Sequence, residues 1–136
     1  MTHRLSTDQF QENIDRFTAN VADQAIDWDT PRGASSQCWG ASCSFATQSY
    51  LHPSTTHVVR FTGFRGDPSV LQQGLRPEQT RHHVNVTDTD EGQQVVDWTA
   101  RQFDPSANFP HVEPLDEYRK RWDTEHEWTL MEPPKP

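Results

Sequence analysis

The feature that most restricts the fold is a pair of short segments joined by a tight polar turn. Residues 82–87 and 93–98 each contain two valines, and Thr89-Asp90-Glu91-Gly92 lies between them. Strand-forming residues on both sides of such a turn predict an antiparallel hairpin. A turn centred between Thr89 and Asp90 pairs His82 directly with Asp97. Opposed side chains share a face with Cβ atoms about 4.5–5.5 Å apart. The pattern therefore predicts that Asp97 orients the imidazole.

Helical patterns precede this hairpin. Ser6-Thr7-Asp8-Gln9 has the form of a capping box, and apolar residues with helical spacing follow it. They predict a first helix that ends near Asp27, followed by a breaker-rich loop over residues 30–36. The other predicted elements are a helix from Cys38 to Leu51, a strand from Thr56 to Phe61 and a short helix from Pro114 to about Trp122. Together they predict an α+β fold in which N-terminal helices pack on a small antiparallel sheet.

Composition limits the size of the core and the class of partner. Only 32% of the 136 residues are hydrophobic, so five Trp and seven Phe must supply much of one modest, aromatic-rich core. The formal net charge of −8 disfavours binding to nucleic acid or to anionic membrane surfaces. The sequence contains no signal-peptide core and no apolar stretch of about 18 residues. We expect a cytoplasmic protein, or one delivered into the cytosol of a target cell.

Two cysteines, Cys38 and Cys43, lie five residues apart. A disulfide at that spacing within one helix would be strained, because paired Cα atoms need to lie about 4.4–6.8 Å apart with converging Cβ vectors. We therefore expect free thiols in a reducing compartment. Cys38 opens its predicted helix, where free N–H groups and the helix dipole favour a thiolate. With a histidine and Asp97 it makes a candidate nucleophile, base and orienter.

These residues resemble a known superfamily. The segment from Gln37 to Ser42, with Phe45, Ala46 and Leu51 after it, resembles the nucleophile helix of bacterial papain-like toxins and transglutaminase-like proteins. Residues 82–86 and 95–99 resemble their histidine and aspartate strands, and the order Cys, His, Asp is the same. The resemblance covers Gln37 to about Phe103. It implies a papain-like core and acyl transfer at an amide of a protein or peptide, either proteolysis or glutamine deamidation through a thioester, with Cys38, His82 or His83, and Asp97 as the triad.

The length of the chain and the absence of an internal repeat or domain boundary predict one domain over residues 1–136, and the resemblance implies that it is papain-like. Residues 1–32 would form an N-terminal helix and loop, 33–103 the catalytic core, and 104–136 a C-terminal extension with a short helix. We expect loops 63–68 and 104–114 to shape the cleft. Arg101, Gln102 and Phe103 could also line it, although core packing is the stronger interpretation of Phe103. The oligomeric state stays open.

Two choices remain within the predicted triad. Strand alternation places His82 on one face with Val84 and Val86, a buried side beside the helix, whereas His83 shares the more polar face with Asn85. We therefore favour His82. Cys38 is favoured over Cys43 by its position at the helix start. However, Gln37 lies six residues before Cys43, the offset of the oxyanion-hole glutamine in papain-type proteases, whereas Arg32 lies six before Cys38.

Two other classes of function compete with the thiol enzyme. The candidate zinc ligands are Cys38, Cys43, His52, His57, His82 and His83. They lack Cys-x-x-Cys or His-x-x-x-His spacing, so we expect no metal and no other cofactor. The acidic charge and the many tryptophans would also suit a non-catalytic module, of immunity or adaptor type, that docks a basic partner.

Overall fold

The computed structural model describes residues 4–47, 56–71, 75–123 and 129–131. The helices within these ranges are α1 (Thr7–Asp23), α2 (Pro31–Ala34), α3 (Cys38–Thr47) and α4 (Leu115–Tyr118). The strands are β1 (Thr56–Thr62), β2 (Arg81–Thr89), β3 (Gly92–Asp97), β4 (His111–Pro114) and β5 (Thr129–Met131). Single 3-10 turns cover Pro68–Val70, Pro77–Gln79, Ala100–Gln102 and Arg119–Arg121. None of the helices in the described ranges has the length and apolar composition needed to cross a membrane.

Helix α1 begins with the predicted capping box. The Ser6 hydroxyl accepts a hydrogen bond from the Gln9 main chain at 3.1 Å, and the Gln9 side chain accepts one from the Ser6 main chain at 3.0 Å. The helix ends at Asp23, four residues before the predicted end. Ala25 has a φ of 54°, a left-handed conformation that stops helical propagation.

The loop predicted over residues 30–36 contains the one-turn helix α2. Pro31 occupies its first turn, and the Thr30 hydroxyl caps it by accepting a hydrogen bond from the Gly33 main chain at 2.9 Å. Helix α3 begins at Cys38, as predicted, and is described to Thr47. The predicted continuation of α3 to Leu51 lies outside the described residues.

The sheet has the order β4-β3-β2-β1-β5, with every neighbouring pair antiparallel. An α+β fold with N-terminal helices packed on an antiparallel sheet is therefore confirmed. Strand β4 was predicted as loop. It is a short edge strand that begins after Pro110 and ends at Pro114, and prolines are tolerated at such edges although they conceal the strand pattern.

The predicted hairpin is present, but its register differs by two residues. Thr89 pairs with Gly92, so the loop consists of Asp90 and Glu91. Gly92 has a φ of 100°, which only glycine adopts without strain. Continuing the ladder from its last pair, Asn85 with Val96, would place Asp97 across from Val84 and not from His82. A shift of two residues preserves side-chain parity, so His82 and Asp97 still share a face as diagonal neighbours.

Both faces of the sheet are covered, and each face has its own aromatic-rich cluster instead of the single core that we predicted. Helices α1 and α3 cover one face with the cluster Leu5, Phe10, Ile14, Phe17, Val21, Trp28, Ala41, Phe45, Val96 and Trp98. Residues from the C-terminal part of the chain cover the other face in the cluster Val59, Phe61, Phe64, Val84, Val86, Val95, Leu115, Tyr118 and Trp122. The second face carries His82 and Asp97.

Candidate active site

Asp97 is a buried carboxylate at the end of β3 with three hydrogen-bond donors. Its Oδ2 accepts from His82 Nε2 at 2.8 Å and from the Tyr118 hydroxyl at 2.8 Å, and its Oδ1 accepts from the Thr99 main-chain N–H at 3.0 Å. Burial opposes ionisation, but the charge of His82 and these hydrogen bonds hold the pKa of Asp97 below its ordinary value. The carboxylate is therefore charged and fixed in orientation.

The His82 ring is fully buried and held on three sides. Nε2 is bound to Asp97, Trp122 stacks on the ring with an interplanar angle of 13°, and Phe103 meets it edge-on with centroids 4.7 Å apart. Nδ1 forms no hydrogen bond with a described residue, so Cys38 acts on this ring without a direct hydrogen bond. Burial alone would lower the pKa of His82, but the charge of Asp97 and its hydrogen bond, with a contribution from Cys38, raise it to about 10.

Cys38 reaches both histidines because it lies at an open strand edge. Strand β2 pairs with β1 from Arg81 to Thr87, but it pairs with β3 only from Asn85 onward. The side chains of His82 and His83 point to opposite faces, yet both histidines influence the thiol electrostatically. One sulfur can lie near both rings only beside the strand edge.

The electrostatic environment favours a Cys38 thiolate. Burial raises the pKa of the thiol, but the polar interactions with the His82 and His83 rings, the positive charge of His82 and the main chain of His83 outweigh burial. The result is a pKa of about 6, compared with an ordinary 9.0. Between about pH 6 and pH 10 the pair is therefore a thiolate facing an imidazolium.

His83 contacts the same sulfur from the other face. Its Nδ1 lies 3.6 Å from Cys38 Sγ, and Trp39 meets the ring edge-to-face with centroids 5.1 Å apart. Helix α3 packs on this face, where the Asn85 amide donates to the Ser42 carbonyl at 2.9 Å. The expectation that His82 lies on the side beside the helix is therefore wrong. The polar residue Asn85 fits that side because its amide binds the helix backbone.

Cys43 occupies a different environment. It is buried with Ala46 and Val58, and burial raises the pKa of its thiol. No imidazole contacts it among the described residues, in contrast to Cys38. Of the two cysteines, only Cys38 is close to the histidine–aspartate pair.

A cavity of about 530 Å³ opens beside Cys38. Its lining includes Gln102 and Phe103 from the segment after β3, together with Arg32. Arg101 instead donates hydrogen bonds to the Ala107 and Asp29 carbonyls. The loops predicted to shape the cleft line a separate cavity of about 490 Å³ on the Asp97 side. These loops lie on that side because residues 64–67 and 104–107 flank the cluster that contains Tyr118 and Trp122.

The sequence analysis missed two residues that hold His82 and Asp97 in place, Tyr118 and Trp122. Both lie more than 20 positions after Asp97, in a segment predicted only as a short helix. Each is buried, and a buried tyrosine requires a hydrogen-bond partner, but no local pattern identifies that partner as Asp97.

The described residues contain no candidate metal site. No group of three or more histidine, cysteine, aspartate or glutamate side chains in the described ranges is placed to hold a metal ion, and His52 lies outside those ranges. The prediction of a papain-like core stays a prediction. Comparison with protein-family models, curated proteins and solved structures found no match to this chain.

Proposed function

We propose that this chain is a thiol-dependent amide hydrolase or acyl transferase, and specifically a protein glutamine deamidase or cysteine protease of toxin or effector type. The observation that supports it is the convergence of Cys38, His82 and Asp97, with the thiol pKa lowered to about 6 in the lining of a cavity. A structural cysteine does not require a buried, carboxylate-bound imidazole beside it.

In the proposed reaction the Cys38 thiolate attacks the carbonyl carbon of a substrate amide. The tetrahedral oxyanion meets main-chain N–H groups in the first turn of α3, which have no partner within the helix. His82 Nδ1 then donates its proton to the departing nitrogen, which leaves as ammonia from glutamine or as an amine from a peptide bond. A thioester to Cys38 remains.

Water completes the cycle. The neutral His82 takes a proton from water, hydroxide adds to the thioester carbonyl, and the C–S bond breaks to regenerate the thiolate and the imidazolium. Asp97 keeps Nε2 protonated, so Nδ1 is the nitrogen that exchanges the proton in both halves of the reaction. An amine in place of water would give acyl transfer.

Cysteine alkylation tests whether Cys38 is an activated nucleophile. At pH 6 a thiol with a pKa of about 6 is half ionised, against about 0.1% for one at 9.0. A low-pKa thiolate is intrinsically less nucleophilic, by about 20-fold over three units. Cys38 should therefore react with iodoacetamide about 20-fold faster than a free cysteine peptide, and Cys43 should react slowly. A Cys38 rate equal to that of the peptide would contradict the proposal.

Intact-mass analysis of incubated proteins distinguishes the reactions. Deamidation adds about 1 Da per glutamine, proteolysis produces fragments, and Cys38→Ser should abolish either change. The net charge of −8 favours the competing hypothesis of a non-catalytic acidic module. That hypothesis predicts neither a mass change nor an activated thiol. The proposed chemistry requires a reduced thiol, which suits the cytoplasm or the cytosol of a target cell.

A further inference from the structure

The cavity beside Cys38 is lined, among the described residues, by basic and not by acidic ones, although the chain as a whole is acidic. The chain carries 20 acidic and 12 basic residues, yet neither aspartate nor glutamate is among the described residues that line this cavity. Two arginines, Arg32 and Arg81, line it instead.

Both arginines are available to a ligand. Each is exposed, and neither forms an ion pair with a described residue. By contrast, Arg121 in the other cavity is bound to Glu113 at 2.6 Å. The imidazolium of His82 and the free N–H groups at the start of α3 add to the positive potential close to the thiol.

Apolar side chains accompany the two arginines. Val70, Leu71 and Phe103 are half-buried in the lining, and Leu75 is 52% exposed. A large aliphatic side chain that is exposed at the rim of a cavity provides contact area for an apolar ligand group.

We propose that this cavity binds an apolar residue and an adjacent acidic residue of a protein or peptide substrate, next to the amide that Cys38 attacks. The inference rests on the proposed function and specifies its substrate class. Arg32 and Arg81 act as specificity-determining residues that bind the carboxylate, while Leu75 and its neighbours contact the apolar side chain.

A matched pair of electrophilic peptides tests the proposal. Chloroacetyl-Leu-Asp-amide and chloroacetyl-Leu-Asn-amide differ by one charge and alkylate a thiolate with release of chloride. The second-order rate constant for Cys38 should be higher with the Asp reagent. Each of Arg32→Ala and Arg81→Ala should lower the Asp/Asn rate ratio by about twofold to fivefold, the range for an exposed charge pair.

Arg65→Ala is the control, because Arg65 is an exposed arginine in the lining of the other cavity and should leave the ratio unchanged. His82 contributes equally to the ratio in every variant, so it cancels from the comparison. Rapid alkylation with an Asp/Asn ratio unaffected by both arginine substitutions would overturn this inference alone. Slow alkylation of Cys38 by both reagents would overturn the proposed function and this inference together.

Discussion

Substitution of Asp97 by asparagine tests the central electrostatic argument with the smallest change in shape. The variant keeps an oxygen for the Thr99 main chain or the Tyr118 hydroxyl, but it removes the negative charge that faces His82 at 2.8 Å. Burial then dominates and lowers the pKa of His82, so that its ring is neutral at pH 7. Without the imidazolium, the pKa of Cys38 rises from about 6 toward 9.0.

The size of the effect depends on pH. At pH 7 the thiolate fraction falls from about 90% to about 1% if the pKa returns fully to 9.0. The thiolate that remains is about 20-fold more nucleophilic, since a Brønsted coefficient of about 0.45 acts over three pKa units. The net loss in alkylation rate at pH 7 is therefore only about fourfold. The two rate profiles should cross at about pH 7.7, above which Asp97→Asn reacts faster than the wild type.

The assay is iodoacetamide alkylation of Cys38 from pH 4.5 to pH 10, followed by peptide mass spectrometry. The wild-type midpoint should lie at about 6, and that of Asp97→Asn should lie between 7 and 9. Asp67→Asn serves as the matched control, because Asp67 is exposed and its one hydrogen bond within the described ranges is local, to the Ser69 main chain. Circular dichroism establishes that each variant is folded. A folded Asp97→Asn protein that keeps a midpoint near 6 would refute the role of the carboxylate.

Three further substitutions separate the remaining contributions. His83→Ala should raise the pH midpoint of Cys38 alkylation by less than Asp97→Asn does, because His83 contributes hydrogen bonds whereas His82 also contributes charge. An equal or larger shift would reverse the roles of the two histidines. Cys38→Ser should make the free energy of unfolding, measured by urea denaturation, fall more steeply between pH 6.5 and 9 than in the wild type. In the wild type, the lowered pKa of Cys38 adds stability as pH rises through this window and the raised pKa of His82 removes stability, so the two contributions nearly cancel. Cys38→Ser keeps only the loss from His82, at most about 1.4 kcal/mol per pH unit. Equal slopes in the two proteins would contradict the ion pair. Cys43→Ser should cost about 1–3 kcal/mol by burying a hydroxyl and leave the Cys38 midpoint unchanged, whereas slower Cys38 alkylation would indicate a wider role for Cys43.

The hairpin could be predicted because its signals are local. Alternating valines and a turn rich in aspartate and glycine require no knowledge of distant residues. The register was wrong by two because several adjacent residues suit the turn, and only the positive φ of Gly92 decides between them. A shift of two residues keeps each side chain on the same face of the sheet, so the contact between His82 and Asp97 did not depend on the register being correct.

The surroundings of Cys38, His82 and Asp97 could not be predicted because they come from distant parts of the chain. Val84 and Val86 gave no indication whether the N-terminal helices or the C-terminal segment would cover them. Similarly, the hydrogen bond from Tyr118 to Asp97 joins residues 21 positions apart through a turn and an edge strand. Alternation assigns side chains to a face, but the packing of whole elements determines what lies on that face.

The way in which β3 ends explains why one thiol can meet two histidines on opposite faces. In the observed register, a longer β3 would pair Trp98 with His83 and occupy the His83 N–H. Instead, the Thr99 N–H turns back to the Asp97 carboxylate at 3.0 Å, and the ladder stops. This unpaired edge of β2 is the place where Cys38 Sγ lies 3.6 Å from His83 Nδ1. Asp97 therefore acts twice, since it orients His82 through one oxygen and keeps the strand edge open for the thiolate through the other.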